Sequence, residues 1–135
     1  KLLDLTVTPI TPEELKNMDD ILLLDIREKE EYDVSHIEGA EYMGYKEYDG
    51  DLLRDVPKDT PIVVYCSIGY RSEKIGEKIQ ELGFTNVYNL YGSIFEWVNQ
   101  GNPVVDNNNA STDKVHTYNR TWSKWVEEGK AEKVW

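Results

Sequence analysis

"PIVVYCSIGYRSEKIGEKIQELG" (residues 61–83) decides the fold. Ile62–Tyr65 run apolar without alternation, the pattern of a strand buried on both faces. The run meets Cys66, passes a short loop containing Gly69, and gives way to a different period. Ile75, Ile79 and Leu82 recur at helical spacing, and Gly83 follows as the residue that closes a helix. Gly76 falls on the same apolar face, where a missing Cβ lets the helix approach the strand closely. A buried strand that turns through a loop into an amphipathic helix is half of a βαβ unit.

The flanking sequence repeats this alternation. "ILLLDI" (21–26) reads as a second buried strand and "NVYNL" (86–90) as a third. Thr11-Pro12-Glu13-Glu14 reads as a helix start, with Thr11 the N-cap, Pro12 the first helical residue and Glu14 the reciprocal partner. Leu15 and Met18 then face inward. "REKEEYDVSHIEGAEYM" (27–43) predicts a short charged helix and a loop, ending in a short strand near Ala40–Met43. Residues 44–60 read as polar and irregular, broken by Gly, Asp and Pro57. Ser93 and Glu96 suggest a second capping box ahead of Ile94, Trp97 and Val98, with Gly101 as the stop. The expected fold is α/β, a mostly parallel central sheet flanked by helices.

"DNNNASTD" (106–113) has no large apolar residue and reads as a linker or extended connection. Beyond it Tyr118, Trp122, Trp125 and Val126 form an apolar stripe on a short helix. The expected organisation is a domain over residues 1–105 and an aromatic-rich C-terminal extension over 106–135. The stripe requires cover. Its own domain is the simplest source; a protein partner or a second protomer through Trp122 and Trp125 is the alternative.

Composition removes several functions. The chain has 135 residues and a formal net charge of −11. Residues 1–105 hold 21 acids and 10 bases, and residues 106–135 hold five of each, so the first part carries the excess. Nucleic-acid partners need clustered Lys and Arg and are not expected. No apolar run approaches the roughly 20 residues of a membrane-spanning helix. One cysteine makes neither an internal disulfide nor a structural zinc site. His36 and His116 are too isolated to suggest ligands. The chain starts at Lys1 with no signal-like segment. The compartment stays open between the cytoplasm and, for a chain whose upstream leader has been removed, the bacterial cell envelope.

The lone cysteine then takes on meaning. In open α/β sheets ligands gather at the carboxyl ends of strands. Cys66 sits at such an end, directly before a helix. Amides of residues 67–71 are placed to curl around its sulfur, and the helix N-terminus adds unpaired donors. Both favour the thiolate and any bound oxyanion. Gly69 permits the positive φ of a tight cradle, and Arg71 is the loop's one full cation.

Three segments then resemble the single-domain rhodanese family of sulfurtransferases over about residues 5–105. "LLDIREKEEYDVSHIEGA" (23–40) resembles the upstream signature, "YCSIGYRS" (65–72) the active-site loop, and "NLYGSIFEW" (89–97) the Gly-rich step before the last helix. The resemblance implies that Cys66 accepts a sulfane sulfur as a persulfide and passes it to cyanide or a thiol. It implies substrate contacts from Ser67, Ile68, Gly69, Tyr70 and Arg71. Support is expected from Asp25, Arg27, His36 and Ser72. Arg71 has two readings, binding the donor anion or turning inward to an acid. No metal or organic cofactor is required. Cys66 and Arg71 bracket four residues; the related dual-specificity cell-cycle phosphatases bracket five, so phosphatase or arsenate reductase chemistry ranks below sulfur transfer. A non-catalytic sulfur carrier or partner-binding module is the other alternative. Ser67, Ile68 and Tyr70 are uncharged, which points to a neutral persulfide or a protein-borne donor rather than dianionic thiosulfate.

Overall fold

The computed structural model describes residues 7–135, so Leu5 and Thr6 of the resemblance lie outside the described residues. Five parallel strands form the central sheet in the order β1-β5-β4-β2-β3. They are β1 (Thr8–Ile10), β2 (Leu22–Asp25), β3 (Glu41–Tyr42), β4 (Ile62–Tyr65) and β5 (Val87–Leu90). Helices α1 (Pro12–Lys16), α2 (Lys29–Val34), α3 (Tyr70–Glu81) and α4 (Ser93–Asn99) connect or follow them. β4 lies mid-sheet, paired with β2 and β5, and all four of its residues are buried. That is why its sequence is continuously apolar rather than alternating. A single 3₁₀ turn, Gly50–Leu53, interrupts the irregular stretch.

Two apolar clusters sandwich the sheet. Leu23, Val63, Leu90, Ile94, Phe95 and Trp97 lie in one. Leu24, Ile62, Val64, Ile75, Ile79 and Val87 lie in the other. Successive residues of β4 alternate between the clusters, as strand geometry requires. Gly76 earns its place on α3: a Cβ there would stand 3.0 Å from Val7 Cγ2.

Local readings divide. Thr11 and Glu14 form the reciprocal capping box, at 3.1 Å and 2.8 Å. Gly83 closes α3 at φ +103°, but Leu82, the C-cap residue, does not face inward; it is 52% exposed. β1 was not visible in the sequence. It is an edge strand, and an edge tolerates Pro9.

The C-terminal segment is more ordered than a linker and helix. "DNNNA" makes the turn of a hairpin between β6 (Val104–Val105) and β7 (Ser111–Thr112). Asp106 Oδ1 accepts from the amides of Asn108 and Ala110, so the polar run is a turn with its own bonds. β8 (Lys114–His116) and β9 (Glu132–Val134) pair in parallel, and α5 is only Arg120–Ser123. Val115 and Val126 are buried in the cluster around Phe95 and Trp97, and Trp122 packs against it. Trp125 is left partly exposed, its carbonyl accepting from Asn99 Nδ2. Its own chain thus covers Val126 and part of Trp122, while Tyr118 and Trp125 stay 45% and 44% exposed. Among the described residues no helix is long and apolar enough to cross a membrane.

Candidate active site

Cys66 follows β4 at the carboxyl end of the sheet, and its side chain is buried. α3 begins at Tyr70, after Gly69 at φ +120°, a conformation that side chains resist. The Gly69 amide donates to Cys66 Sγ at 3.1 Å. Of the amides of residues 67–71, it alone hydrogen-bonds the sulfur, so the expected ring of donors is narrower around the bare thiol. The second polar neighbour is a hydroxyl: Ser72 Oγ lies 3.4 Å from Sγ and 2.7 Å from Asn89 Oδ1. Its one proton serves one of these acceptors at a time. Asn89 Nδ2 in turn donates to the Gly69 carbonyl and to Glu73 Oε1, both at 3.1 Å.

α4 holds the other side of the cysteine. Gly92 and Ser93 both take positive φ, +68° and +53°. This turn sends the Ile94 and Phe95 amides to the carbonyls of Cys66 and Ser67, each at 3.1 Å. Ser93 does not cap α4. Its Oγ accepts from the Cys66 amide at 3.1 Å, a tertiary bond that replaces the expected capping box. Ser93 and Asn89 are site residues that sequence reasoning missed. The available signals were a polar residue inside "VYNL" and a Gly-Ser step beside the cysteine strand.

Arg71 adopts its inward alternative. Nη1 and Nη2 donate to the Glu31 carboxylate at 2.8 and 3.1 Å, and Nη2 also donates to Ser67 Oγ at 3.0 Å. Ser67 Oγ donates to Glu31 Oε1 at 3.1 Å. Ser67 is fully buried and Arg71 nearly so. Both side chains therefore brace the loop instead of presenting themselves to a donor, which corrects the expectation of substrate contact through them. Glu31, the acid that makes this possible, was read only as part of a charged helix. Burial pushes its pKa up, but Arg71's hydrogen bond and charge, then Arg27's charge, outweigh that and hold it below the ordinary carboxylate range. Burial likewise works to lower the Arg71 pKa, and Glu31 reverses it.

Asp25 and Arg27 form a second buried pair, bidentate at 2.7–2.9 Å. Arg27 Nη2 also donates to the Ser35 carbonyl at 2.6 Å, and Tyr65 Oη donates to Asp25 Oδ2 at 2.7 Å. Burial disfavours the Arg27 charge, but Asp25 more than compensates, so its pKa moves up. His36 is a loop anchor. Its Nδ1 donates to the Tyr32 carbonyl at 3.0 Å, its ring stacks on Tyr32 at 3.8 Å, and its backbone bridges Val105.

Ile68 and Tyr70 stand where a ligand could touch them. They line a cavity of about 450 Å³ beside the loop, and Tyr70 is 58% exposed. On the side of Arg71 the C-terminal segment forms a wall: the Tyr118 ring lies 5.1 Å from the guanidinium carbon and packs on Trp122. The described residues contain no cluster of His, Cys, Asp and Glu able to hold a metal. The site is a buried sulfur on a braced loop, with one wall closed and one side open.

Comparison with known proteins agrees with this geometry. The model of the rhodanese-like domain matches residues 11–100. Thiosulfate sulfurtransferase GlpE of Actinobacillus succinogenes is 32% identical over 100 residues, covering 72% of this chain and 89% of that protein. A Mycobacterium tuberculosis protein named "Probable adenylyltransferase/sulfurtransferase MoeZ" is 33% identical over 99 residues. That match covers 70% of this chain but only 25% of the relative's length. Among solved structures, a rhodanese-related protein from Thermoplasma volcanium has a TM-score of 0.59 at 27% identity, covering 73% of this chain and 97% of that one. The chain belongs to the rhodanese-like sulfurtransferase family.

Proposed function

We propose that this protein transfers a sulfane sulfur through a persulfide on Cys66. The observation that carries the reading is the Gly69 amide 3.1 Å from Sγ at the start of α3, a donor aimed at negative charge on sulfur. The Cys66 thiolate attacks the outer sulfur of thiosulfate or of a persulfide. The new S–S bond forms as the donor's bond breaks, and sulfite or a thiolate leaves with the electron pair. The Tyr70, Arg71 and Ser72 amides, in the first turn of α3, supply further donors for the added sulfur. Cyanide or a thiol then attacks that sulfur, and Cys66 leaves as the thiolate. Glu31, Arg71 and Ser67 hold the loop, Ser72 and Asn89 its hydrogen bonds, and Asp25, Arg27 and His36 the segments behind it. Transfer of this kind needs neither a metal nor an organic cofactor.

The test is thiocyanate formation from thiosulfate and cyanide. Two-substrate kinetics should follow a double-displacement pattern, with Cys66→Ser inactive. Hydrolysis of an aryl phosphate without thiocyanate would contradict the proposal and favour the phosphatase alternative. That alternative has less support, since Arg71, the loop's cation, is already paired with Glu31. The carrier alternative keeps the persulfide and replaces the small acceptor with a protein. A partner seated on this face would meet Trp125 and Tyr118, since Trp122 packs in part on its own chain.

A further inference from the structure

The wall beside Arg71 comes from the C-terminal segment, and its backbone is unusual. Tyr118 lies beyond residues 11–100, the part of the chain that matches the family. It follows β8, which packs on α2, the helix that carries Glu31. Tyr118 takes φ +74°, a conformation that a bulky side chain resists. The Asn119 amide donates back to the Thr117 carbonyl at 2.8 Å. That bond closes a three-residue turn centred on Tyr118, the rare and strained γ form. The neighbours enforce it. Thr117 is fully buried, and its amide donates to the Val134 carbonyl at 2.6 Å. The Tyr118 amide donates to His116 Nδ1 at 3.0 Å, and Asn119 Oδ1 accepts from the Trp122 amide at 2.8 Å. Burial is a weak motive for this turn, since Tyr118 remains 45% exposed. What the turn achieves is the placing of one ring, 4.4 Å from Trp122 between centroids and beside Arg71.

Hydrogen bonds fix only the outer end of the Arg71 fork. Nη1 and Nη2 bond Glu31 and Ser67, whereas Nε is buried without a hydrogen-bond partner among the described residues. The guanidinium carbon stands 5.1 Å over the centre of the Tyr118 ring, within the range of a cation–π contact. We infer that Tyr118 is a positioning residue for sulfur transfer. Its ring holds the Arg71 fork on Glu31 and Ser67, and through Arg71 it fixes the loop that carries Cys66. The inference rests on the persulfide reading. Tyr118 does not line the 450 Å³ cavity beside Ile68 and Tyr70, so a ligand bound there does not meet it. Its effect therefore falls on the rate of transfer and not on the binding of the donor. Strain held at one residue by fixed neighbours is the form such a device takes.

The experiment follows single-turnover loading of the full chain with sulfur from thiosulfate or inorganic polysulfide by intact mass, and then its discharge by cyanide. Tyr118→Asn removes the ring and places a residue that tolerates positive φ, so the turn itself is kept. Tyr118→Phe keeps the ring. Trp125→Leu removes another aromatic of the same wall, one that stacks on Trp122. Tyr118→Asn should slow both loading at saturating donor and discharge by about fivefold to tenfold, with the half-saturating donor concentration unchanged. Tyr118→Phe and Trp125→Leu should stay within about twofold of the parent. Urea unfolding of each variant ensures that folded proteins are compared. Parental rates in Tyr118→Asn, an equal loss in Trp125→Leu or in Tyr118→Phe, or a raised half-saturating concentration at an unchanged rate would overturn the inference and leave the persulfide intact. A parent protein that takes no sulfur from either donor overturns the persulfide reading and this inference with it.

Discussion

Two buried arginine–carboxylate pairs stand within one fold, and they do different work. Asp25 and Arg27 are two residues apart, and both side chains are fully buried. Their bonds reach Tyr65 and the Ser35 carbonyl, so they tie the ends of β2 and β4 to the loop that follows α2. Glu31 and Arg71 are 40 residues apart, and their side chains are 1% and 9% exposed. They tie α2 to the cysteine loop, with Ser67 shared between them and Tyr118 over the guanidinium. The lesson is that burial and charge alone do not identify a functional pair. The first pair closes a corner of the scaffold; the second fixes the segment that presents the sulfur.

The largest stability effect should come from the scaffold pair. Arg27→Met leaves Asp25 buried without its cation, and such a break typically costs about 3–5 kcal/mol. Urea unfolding should show it directly; a loss under about 1 kcal/mol would mean the pair is dispensable.

Glu31→Gln should separate stability from activity. The amide keeps the shape but leaves the Arg71 charge uncompensated, at a cost of about 1–3 kcal/mol. Sulfur transfer should fall further than folding does, by about tenfold to a hundredfold, because a loop displaced by an ångström loses alignment at the sulfur. Arg71→Lys should not restore the activity, since a point charge cannot replace the fork that bonds Glu31 and Ser67 together. Transfer rates that track stability alone in these variants would dissolve the distinction between the two pairs.

Acid provides a third separation. Glu31's folded pKa lies below its unfolded value, so the unfolded state binds the proton more readily. Its contribution is present above the ordinary glutamate pKa of about 4.3 and is lost as pH falls through the lowered folded value. The acid limb of the stability profile should therefore flatten in Glu31→Gln. A limb identical to the parent's would place the acid sensitivity elsewhere.

The smallest effect concerns the wall over the second pair. Burial holds the His116 pKa below its usual value, with Glu31 opposing that shift and Arg27 adding to it. His116 Nδ1 accepts from the Tyr118 amide at 3.0 Å, which requires a neutral ring nitrogen. Stability from this group is level above about pH 6.5 and declines as pH falls through the lowered folded value. Tryptophan emission from the Tyr118–Trp122–Trp125 stack should shift over that window, and His116→Gln should abolish the shift. An unchanged profile in the variant would show that the wall does not depend on this imidazole.

The sheet was legible because its central strands and α3 carry periods that nothing else satisfies. Leu22–Asp25 and Ile62–Tyr65 are continuous because both faces are covered. The site was legible at Cys66 and Gly69 for a local reason: a strand end, a loop and a helix start follow one another in sequence. What escaped was tertiary. Glu31 looks like one more acid on a charged helix until Arg71 arrives from 40 residues away. Ser93 has the spacing of a cap, but a buried amide at Cys66 takes its hydroxyl first. Leu82 fits the apolar stripe of α3, yet as the C-cap residue it stands exposed. β8 and β9 pair across the C-terminal segment, so neither is visible as a strand in a polar stretch read alone.

The most direct test is the mass of the intact protein after incubation with thiosulfate and removal of the donor. The account predicts a gain of one sulfur, about 32 Da, mapped to the peptide holding Cys66, lost on adding cyanide and absent in Cys66→Ser. A protein whose mass does not change, or whose added sulfur survives cyanide, would contradict it.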